Sequence, residues 1–396
     1  MKFIFFLFIV FFCLSSCRVE TVRVNIIGYP KLNYFEIILN SKSKVFIDNN
    51  HINPHNLKFF PKKNLLKLDN ENTYKKFNKI IINTNGIINI SCKHGTQSYK
   101  GIFEITNNDQ ELQMINEINL DDYLASVLGS EMGGAFSDET LKAQSIAIRT
   151  YYYSRKKEYK NKNYDINNAD GRDMVYRGND FAYDKMYKIL DETENIFLIN
   201  KNGKLILPLF HSTSCGIILK DSVMKSNYND DNKNPVLLDD IDDNGIPLSA
   251  DSPYYNFTIK LTNYDLLKIT KPVLDLNTII DVKLKYFNNT ECVDFIGFID
   301  EKNKTHWIKC YKFLSLAQRN NYNNLRSIQF NINKSYDEYI FTGKGFGHLC
   351  GMSQYSAEKL SKNGYDFKMI LKKYYPDASI KRKNIFLIIN NLDIFY

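Results

Sequence analysis

From Arg18 to about Asn116 the chain runs in short apolar stretches broken by turn residues. Segments 22–27, 34–39, 44–47, 79–82, 86–90 and 101–105 are rich in β-branched and aromatic side chains and predict strands. At Leu120 the pattern changes. Leu120, Leu124, Val127 and Leu128 fall on the 3.6-residue period of one helix face, with Gly129 and Gly133-Gly134 expected to interrupt it. A second helix is predicted after Ser137, a residue type that caps helices. Asp138 and Glu139 fill its first turn, where the helix dipole favours negative charge, and Arg155, Lys156 and Lys157 close its basic end. Short strands and turns lead from there to His211. Residues near 227–250 are dense in Asn and Asp and predict a polar surface insertion. Strand patterns return at 256–261, 282–287 and 326–332, and helical ones near 353–362 and 366–374. These elements predict an α+β fold, with an antiparallel-strand-rich N-terminal portion packed on a mixed α/β region.

The first seventeen residues change the picture of where such a chain works. Met1-Lys2 is followed by an apolar run to Leu14 and by Leu14-Ser15-Ser16-Cys17. Twelve apolar residues rise about 18 Å as a helix, short of a hydrocarbon core of roughly 30 Å, so the run predicts an export signal and not a span. The small residues before Cys17 predict a lipoprotein signal over 1–16, with Cys17 acylated as the mature N-terminus; the alternative is an ordinary secretory signal. The expected localisation is exported and lipid-anchored at the membrane surface facing the cell wall, on the periplasmic side where there are two membranes. Behind Cys17 stand Cys92, Cys215, Cys292, Cys310 and Cys350, an odd number at irregular spacings, which excludes a disulfide scaffold. With 44% hydrophobic and 24% charged residues the chain can bury a core, and a net charge of +8 with scattered lysines excludes a nucleic-acid-binding stripe.

Three segments could carry chemistry. Glu131 lies three residues after Leu128 and seven after Leu124, so helical spacing sets its carboxylate on the apolar face. Burial and the negative end of the helix dipole would raise its pKa, as a general acid requires; pairing with Lys142 or Arg149 is the alternative. The second segment is Phe210-His211-Ser212-Thr213-Ser214-Cys215-Gly216, a row of donors with neither a GxSxG elbow nor a placed Asp. The third, Gly343 to Gln354, alternates glycines ahead of His348 and Cys350. His211, Cys215, His348 and Cys350 are an alternative zinc set; otherwise no cofactor or metal is expected.

Together these segments resemble the SpoIID/LytB family, named for stage II sporulation protein D. Leu120-Asp121-Asp122-Tyr123-Leu124 through Glu131-Met132 is similar to its acidic-Tyr-Leu segment ending in Glu-Met, and 141–151 to the helix that follows. Val175-Tyr176-Arg177-Gly178, Phe210-His211-Ser212-Thr213-Ser214, and Gly345-Phe346-Gly347-His348 with Gly351-Met352-Ser353-Gln354-Tyr355 resemble its later blocks, in order. The expected organisation is a signal over 1–16 and a β-rich region over 17–115, and the resemblance implies a catalytic region over 116–385. It implies a peptidoglycan lytic transglycosylase that cleaves MurNAc-GlcNAc strands to 1,6-anhydroMurNAc ends with Glu131 as acid/base. Arg149, Tyr176, His211, Ser212, Ser214, His348, Ser353 and Gln354 would bind substrate. The alternative it implies is a glycan-binding lipoprotein that stimulates a cell-wall amidase. The expected partners are peptidoglycan strands, an amidase and, through the lipid, the membrane, with no nucleic acid. The chain departs from the family pattern where Leu349 and Ser356 replace Gly, Cys215 interrupts a Ser-Gly run and Gly133 replaces Pro. Leu349 in particular is expected to exclude the positive φ that glycine allows.

Overall fold

A computed structural model describes residues 20–26, 34–61, 65–69, 73–92, 95–108, 111–168, 173–225 and 235–382. The expected signal, Cys17 and residues 226–234 of the polar segment lie outside the described residues. The fold is α+β. Among the described residues no helix is long and apolar enough to cross a membrane. The chain divides into two compact units. One holds the described residues up to Ser126 together with Tyr159–Ala182; the other holds Val127–Glu158 and those from Tyr183 on.

The first unit is built from two sheets. Seven strands order as Ile166–Asn167, Thr21–Asn25, Glu111–Asn119, Ile102–Asn108, Lys79–Asn83, Lys44–Ile47 and Asn50–Ile52, antiparallel except at the first pair. Five more order as Leu65–Leu68, Asn56–Phe60, Phe35–Ile38, Ile88–Cys92 and Gly95–Tyr99. Alternate side chains such as Val22, Val24, Phe35, Ile37, Ile80 and Ile82 are buried, which is the period-2 pattern that predicted the strands. Tyr176 belongs to this core: its hydroxyl donates to Asn116 Oδ1 at 2.7 Å and its ring meets Tyr99 and Tyr123.

Seven helices are described: α1 Leu120–Met132, α2 Asp138–Lys156, α3 Asp184–Glu192, α4 Asn263–Thr270, α5 Cys310–Arg319, α6 Gln354–Lys362 and α7 Phe367–Tyr374. The unit boundary falls within α1. Gly129 does not interrupt α1 as expected, because neighbouring apolar residues bury the helix on both sides of it and packing outweighs the glycine's propensity cost of about 1 kcal/mol. α2 starts at the predicted place, yet Ser137 makes no side-chain cap. Its hydroxyl donates instead to Glu358 Oε2 on α6 at 2.8 Å.

In the second unit α2 buries Ala143 and Ile146 against Ile370, Leu371 and Tyr374 of α7. A second core gathers three strands, Asn256–Thr262, Glu338–Lys344 and Gln329–Ser335, with three more, Asp281–Tyr286, Val293–Ile299 and Thr305–Lys309, around α4 and α5. In the described part of the polar segment, residues 241–247 are mostly exposed. Val236–Asp239 pairs with Ile217–Leu219, and Asp240, Leu248 and Ser249 are buried. Hydroxyl partners supplied from distant segments compensate the cost of burying that carboxylate.

Candidate functional site

All three candidate segments of the second unit can be built from their local structure. Glu131 sits half-buried at the end of α1. Gly133 then takes φ +68° while its N–H donates to Gly129 O at 2.9 Å, a left-handed helix stop that proline could not adopt, having neither that φ nor the N–H. The turn that follows is pinned from two sides. Lys185 on α3 donates to the carbonyls of Gly134 and Phe136, and Glu358 on α6 accepts from the Ser137 N–H. Lys142, offered by the sequence as a partner for Glu131, pairs with Glu139 and Glu192, each at 2.9 Å. Arg149 is buried and donates to the carbonyls of Thr193 and Leu190 beyond and within the last turn of α3, where the dipole is negative.

The second and third segments lie side by side. Phe210–His211 pairs in parallel with Met352–Ser353, Thr213 and Phe346 exchange backbone hydrogen bonds, and the Tyr355 N–H donates to Ser212 O at 3.0 Å. Gly347 has φ +111°, and a Cβ there would lie 2.7 Å from His211 Cβ, so the glycine lets the two segments touch. The Phe136 ring meets Tyr355 at 5.3 Å, edge to face. Through these contacts the turn after Glu131, the His211 strand and the start of α6 form one neighbourhood.

The two histidine rings are 5.6 Å apart. Facing a carbonyl, His211 Nδ1 must donate, which it does to Cys350 O at 3.1 Å; its Nε2 is then a bare lone pair, buried and without a partner among the described residues. His348 Nδ1 accepts the Cys350 N–H at 3.1 Å. Burial, with His348 alongside, pushes His211 down to about 3, and burial pushes His348 down to about 4. Both imidazoles are therefore neutral near pH 7 and offer directional hydrogen bonds, not charge.

Behind them lies a layer of hydroxyls that the sequence did not reveal. Asp240, fully buried, accepts from Ser214 Oγ at 2.5 Å, Ser356 Oγ at 2.6 Å and Tyr374 OH at 2.9 Å. Ser249 bridges to the Ser353 and Ser356 hydroxyls and accepts the Ser214 N–H, which also points at Ser353 Oγ. Ser214, Ser353 and Gln354 are thus buried support for the strand pair, while Ser212 and His348 are the partly open members of the predicted set. Tyr176 lies in the first unit. A polar residue inside an Asn/Asp-rich stretch gives no sequence signal of burial, which is why Asp240 and Ser249 escaped notice.

The alternative zinc ligands are not assembled as a donor set. Among the described residues no group of His, Cys, Asp or Glu is arranged to hold a metal ion. Cys350 Sγ points at the carbonyls of Lys220 and His348, and a hydrogen bond between the Cys215 and Cys292 thiols lowers the pKa of Cys215 and, with burial, raises that of Cys292. All five described cysteines are free.

Leu349 overturns the expectation drawn from its side chain. It adopts φ +59° and buries its side chain completely in the second core, while its carbonyl accepts the Leu219 N–H at 2.8 Å. A left-handed non-glycine residue costs roughly 1–2 kcal/mol, and full burial of a leucine returns about 1.5–3 kcal/mol.

Comparison with known proteins adds a family. Residues 108–199 match the family described as Stage II sporulation protein, SpoIID. That stretch holds Glu131, Arg149 and Tyr176. An uncharacterized protein of Brachyspira hyodysenteriae (strain ATCC 49526 / WA1) is 27% identical over 288 residues, covering 72% of this chain and 73% of the relative. The amidase enhancer of Bacillus subtilis (strain 168) is 38% identical over 55 residues, 14% of this chain and 8% of that protein.

Proposed function

We propose that this chain, whose residues 108–199 match the SpoIID family, acts on the cell wall as a peptidoglycan lytic transglycosylase with Glu131 as its acid/base. The Glu131 carboxyl gives its proton to the glycosidic oxygen between MurNAc and GlcNAc, and the C1–O bond breaks toward an oxocarbenium ion. The resulting carboxylate takes the proton of the muramyl 6-hydroxyl as that oxygen closes on C1. A 1,6-anhydro ring forms, no water is consumed, and Glu131 ends protonated as it began. One carboxyl group serves both steps, so a second catalytic carboxylate is not required.

The observation that supports this reading is the convergence on one neighbourhood of the pinned turn behind Glu131 and the strand pair that carries His211 and Ser353. Neutral His348 and the half-open Ser212 hydroxyl suit a substrate rich in hydroxyl and acetamido groups. Export and anchoring through Cys17, facing the wall, belong to the same proposal; metabolic lipid labelling lost in Cys17→Ala tests them.

The decisive experiment incubates the full mature chain with glycan strands and reads the products by mass spectrometry. Anhydromuramyl ends from the wild type and none from Glu131→Gln support the proposal; hydrolysed reducing ends would replace it with a hydrolase. A second reading, stimulation of a wall amidase without cleavage, is favoured by the short likeness to the amidase enhancer. It predicts a faster amidase in the presence of either wild type or Glu131→Gln, with no anhydro ends.

A further inference from the structure

Between the Glu131 turn and the His211 strand runs a row of aromatic rings that none of these roles uses. Phe136 meets Tyr355 at 5.3 Å, Tyr355 meets Tyr254 at 5.9 Å and Tyr254 meets Phe346 at 5.7 Å, with interplanar angles of 68°, 75° and 69°. Tyr254 is 40% exposed, and the other three are half-buried. At the Phe346 end the Arg326 guanidinium lies over both Tyr254, at 5.5 Å, and Phe346, at 5.9 Å. Arg326 is half-buried, and among the described residues no carboxylate pairs with it.

The row is held firmly. Phe346 exchanges backbone bonds with Thr213, Arg326 O accepts the Gly347 N–H, and the Tyr254 N–H donates to Ser252 Oγ, which bonds to the Thr213 hydroxyl. Its side chains come from the turn behind Glu131, the segment before the 256–262 strand, the glycine loop and the start of α6, so four separated segments cooperate to keep four rings at the surface.

We propose that Phe136, Tyr355, Tyr254 and Phe346 are a stacking platform for successive sugar rings and that Arg326 at its end receives a carboxylate on the saccharide; this rests on the reading of the same neighbourhood as a glycan-cleaving site. Pyranose rings offer an apolar C–H face that packs on an aromatic side chain, while the phenols of Tyr254 and Tyr355 supply polar tips for the hydroxyl rim. A partly desolvated guanidinium stacked on rings and lacking a described counter-ion is suited to a planar carboxylate, which it can hold through two parallel hydrogen bonds. In a wall glycan that carboxylate belongs either to the lactyl group of the sugar or to an attached peptide.

Binding is measured by calorimetry with the full mature chain bearing Glu131→Gln, so that nothing is turned over. The probes are a neutral chitooligosaccharide, a peptide-free wall glycan and a peptide-bearing one of equal length. Tyr254→Ala is expected to weaken all three by about tenfold or more. Arg326→Gln is expected to weaken only carboxylate-bearing probes by a similar factor, with Arg326→Lys recovering part of the loss. Loss on the peptide-free glycan assigns the lactyl group, and loss confined to the peptide-bearing glycan assigns the peptide. Unchanged affinity in Tyr254→Ala, with an unchanged melting temperature, overturns the platform. Equal loss on neutral and acidic probes in Arg326→Gln overturns the carboxylate role. The cleavage reading fails separately: absence of anhydro ends alongside Tyr254-dependent binding would leave the platform standing on a non-cleaving glycan binder, and anhydro ends with Tyr254-independent binding would do the reverse.

Discussion

Ser356 and Asp240, 116 residues apart in sequence, meet at 2.6 Å inside the second unit, the hydroxyl donating to the carboxylate. Ser356 thereby supplies a donor to a buried acid. Asp240 ties together the His211 strand through Ser214, the start of α6 through Ser356 and the end of α7 through Tyr374, whose phenol is held far above its ordinary pKa by burial and by Asp240. Removing the acceptor strands three donors with no access to water. Asp240→Ala is expected to cost on the order of 4 kcal/mol and Ser356→Ala about 1–2 kcal/mol. A double-mutant cycle by denaturant unfolding should give a coupling of about 1 kcal/mol; additivity of the two losses would show that the hydrogen bond contributes nothing.

Leu349 sets a left-handed backbone against a buried side chain. If the side chain wins, Leu349→Gly should relax the backbone and still lower stability by about 1–3 kcal/mol, since the packing loss exceeds the strain relieved. A higher melting temperature in Leu349→Gly would show that strain dominates.

The acid limb of stability should bear the mark of His211. Its ordinary value of 6.5 falls to about 3 in the folded chain. Between those values the unfolded chain binds a proton that the folded chain refuses, so stability falls as pH drops below about 6.5 and does so until about 3. The slope from this one group is at most about 1.4 kcal/mol per pH unit. Thermal melts of wild type and His211→Gln from pH 7 to pH 4 should differ in slope, the variant being the flatter; parallel slopes would mean that the imidazole protonates in place.

Gly133 bears on Glu131 through the helix stop. No atom lies within 4 Å of a Cβ built there, so Gly133→Ala meets no clash and should cost only the left-handed strain, about 1 kcal/mol. Gly133→Pro cannot hold φ +68° or donate to Gly129 O, and should shift the turn and with it the carboxylate. The expected result is near wild-type cleavage in the alanine variant and a fall of roughly a hundredfold in the proline variant with the helix content kept. Equal activities would show that the turn does not position Glu131.

Much of the architecture was legible because it is local. The strands at 44–47 and 79–83, the start of α2 after Ser137 and the paired C-terminal helices follow from side-chain period and terminal charge. The 111–119 strand and the hairpin strands at 56–60, 65–68 and 95–99 were less visible, because their faces mix polar and apolar residues, although each pairs with a strand adjacent in sequence. Gly129 misled because propensity is a small local cost and packing is a large non-local gain.

For the site the division is similar. The chain by itself marked the candidate segments: a carboxylate on an apolar helix face, a row of hydroxyls behind His211 and glycines ahead of His348 are all properties of neighbouring residues. Only the tertiary structure decided that Ser214 and Ser353 face inward to Asp240 and Ser249, that His211 keeps a bare lone pair, that Leu349 tolerates a left-handed backbone and that four aromatic residues from four segments meet in a row. Each of those depends on partners dozens to hundreds of residues away, and the energy that fixes them, burial of apolar area and satisfaction of buried polar groups, is absent from any single stretch of sequence.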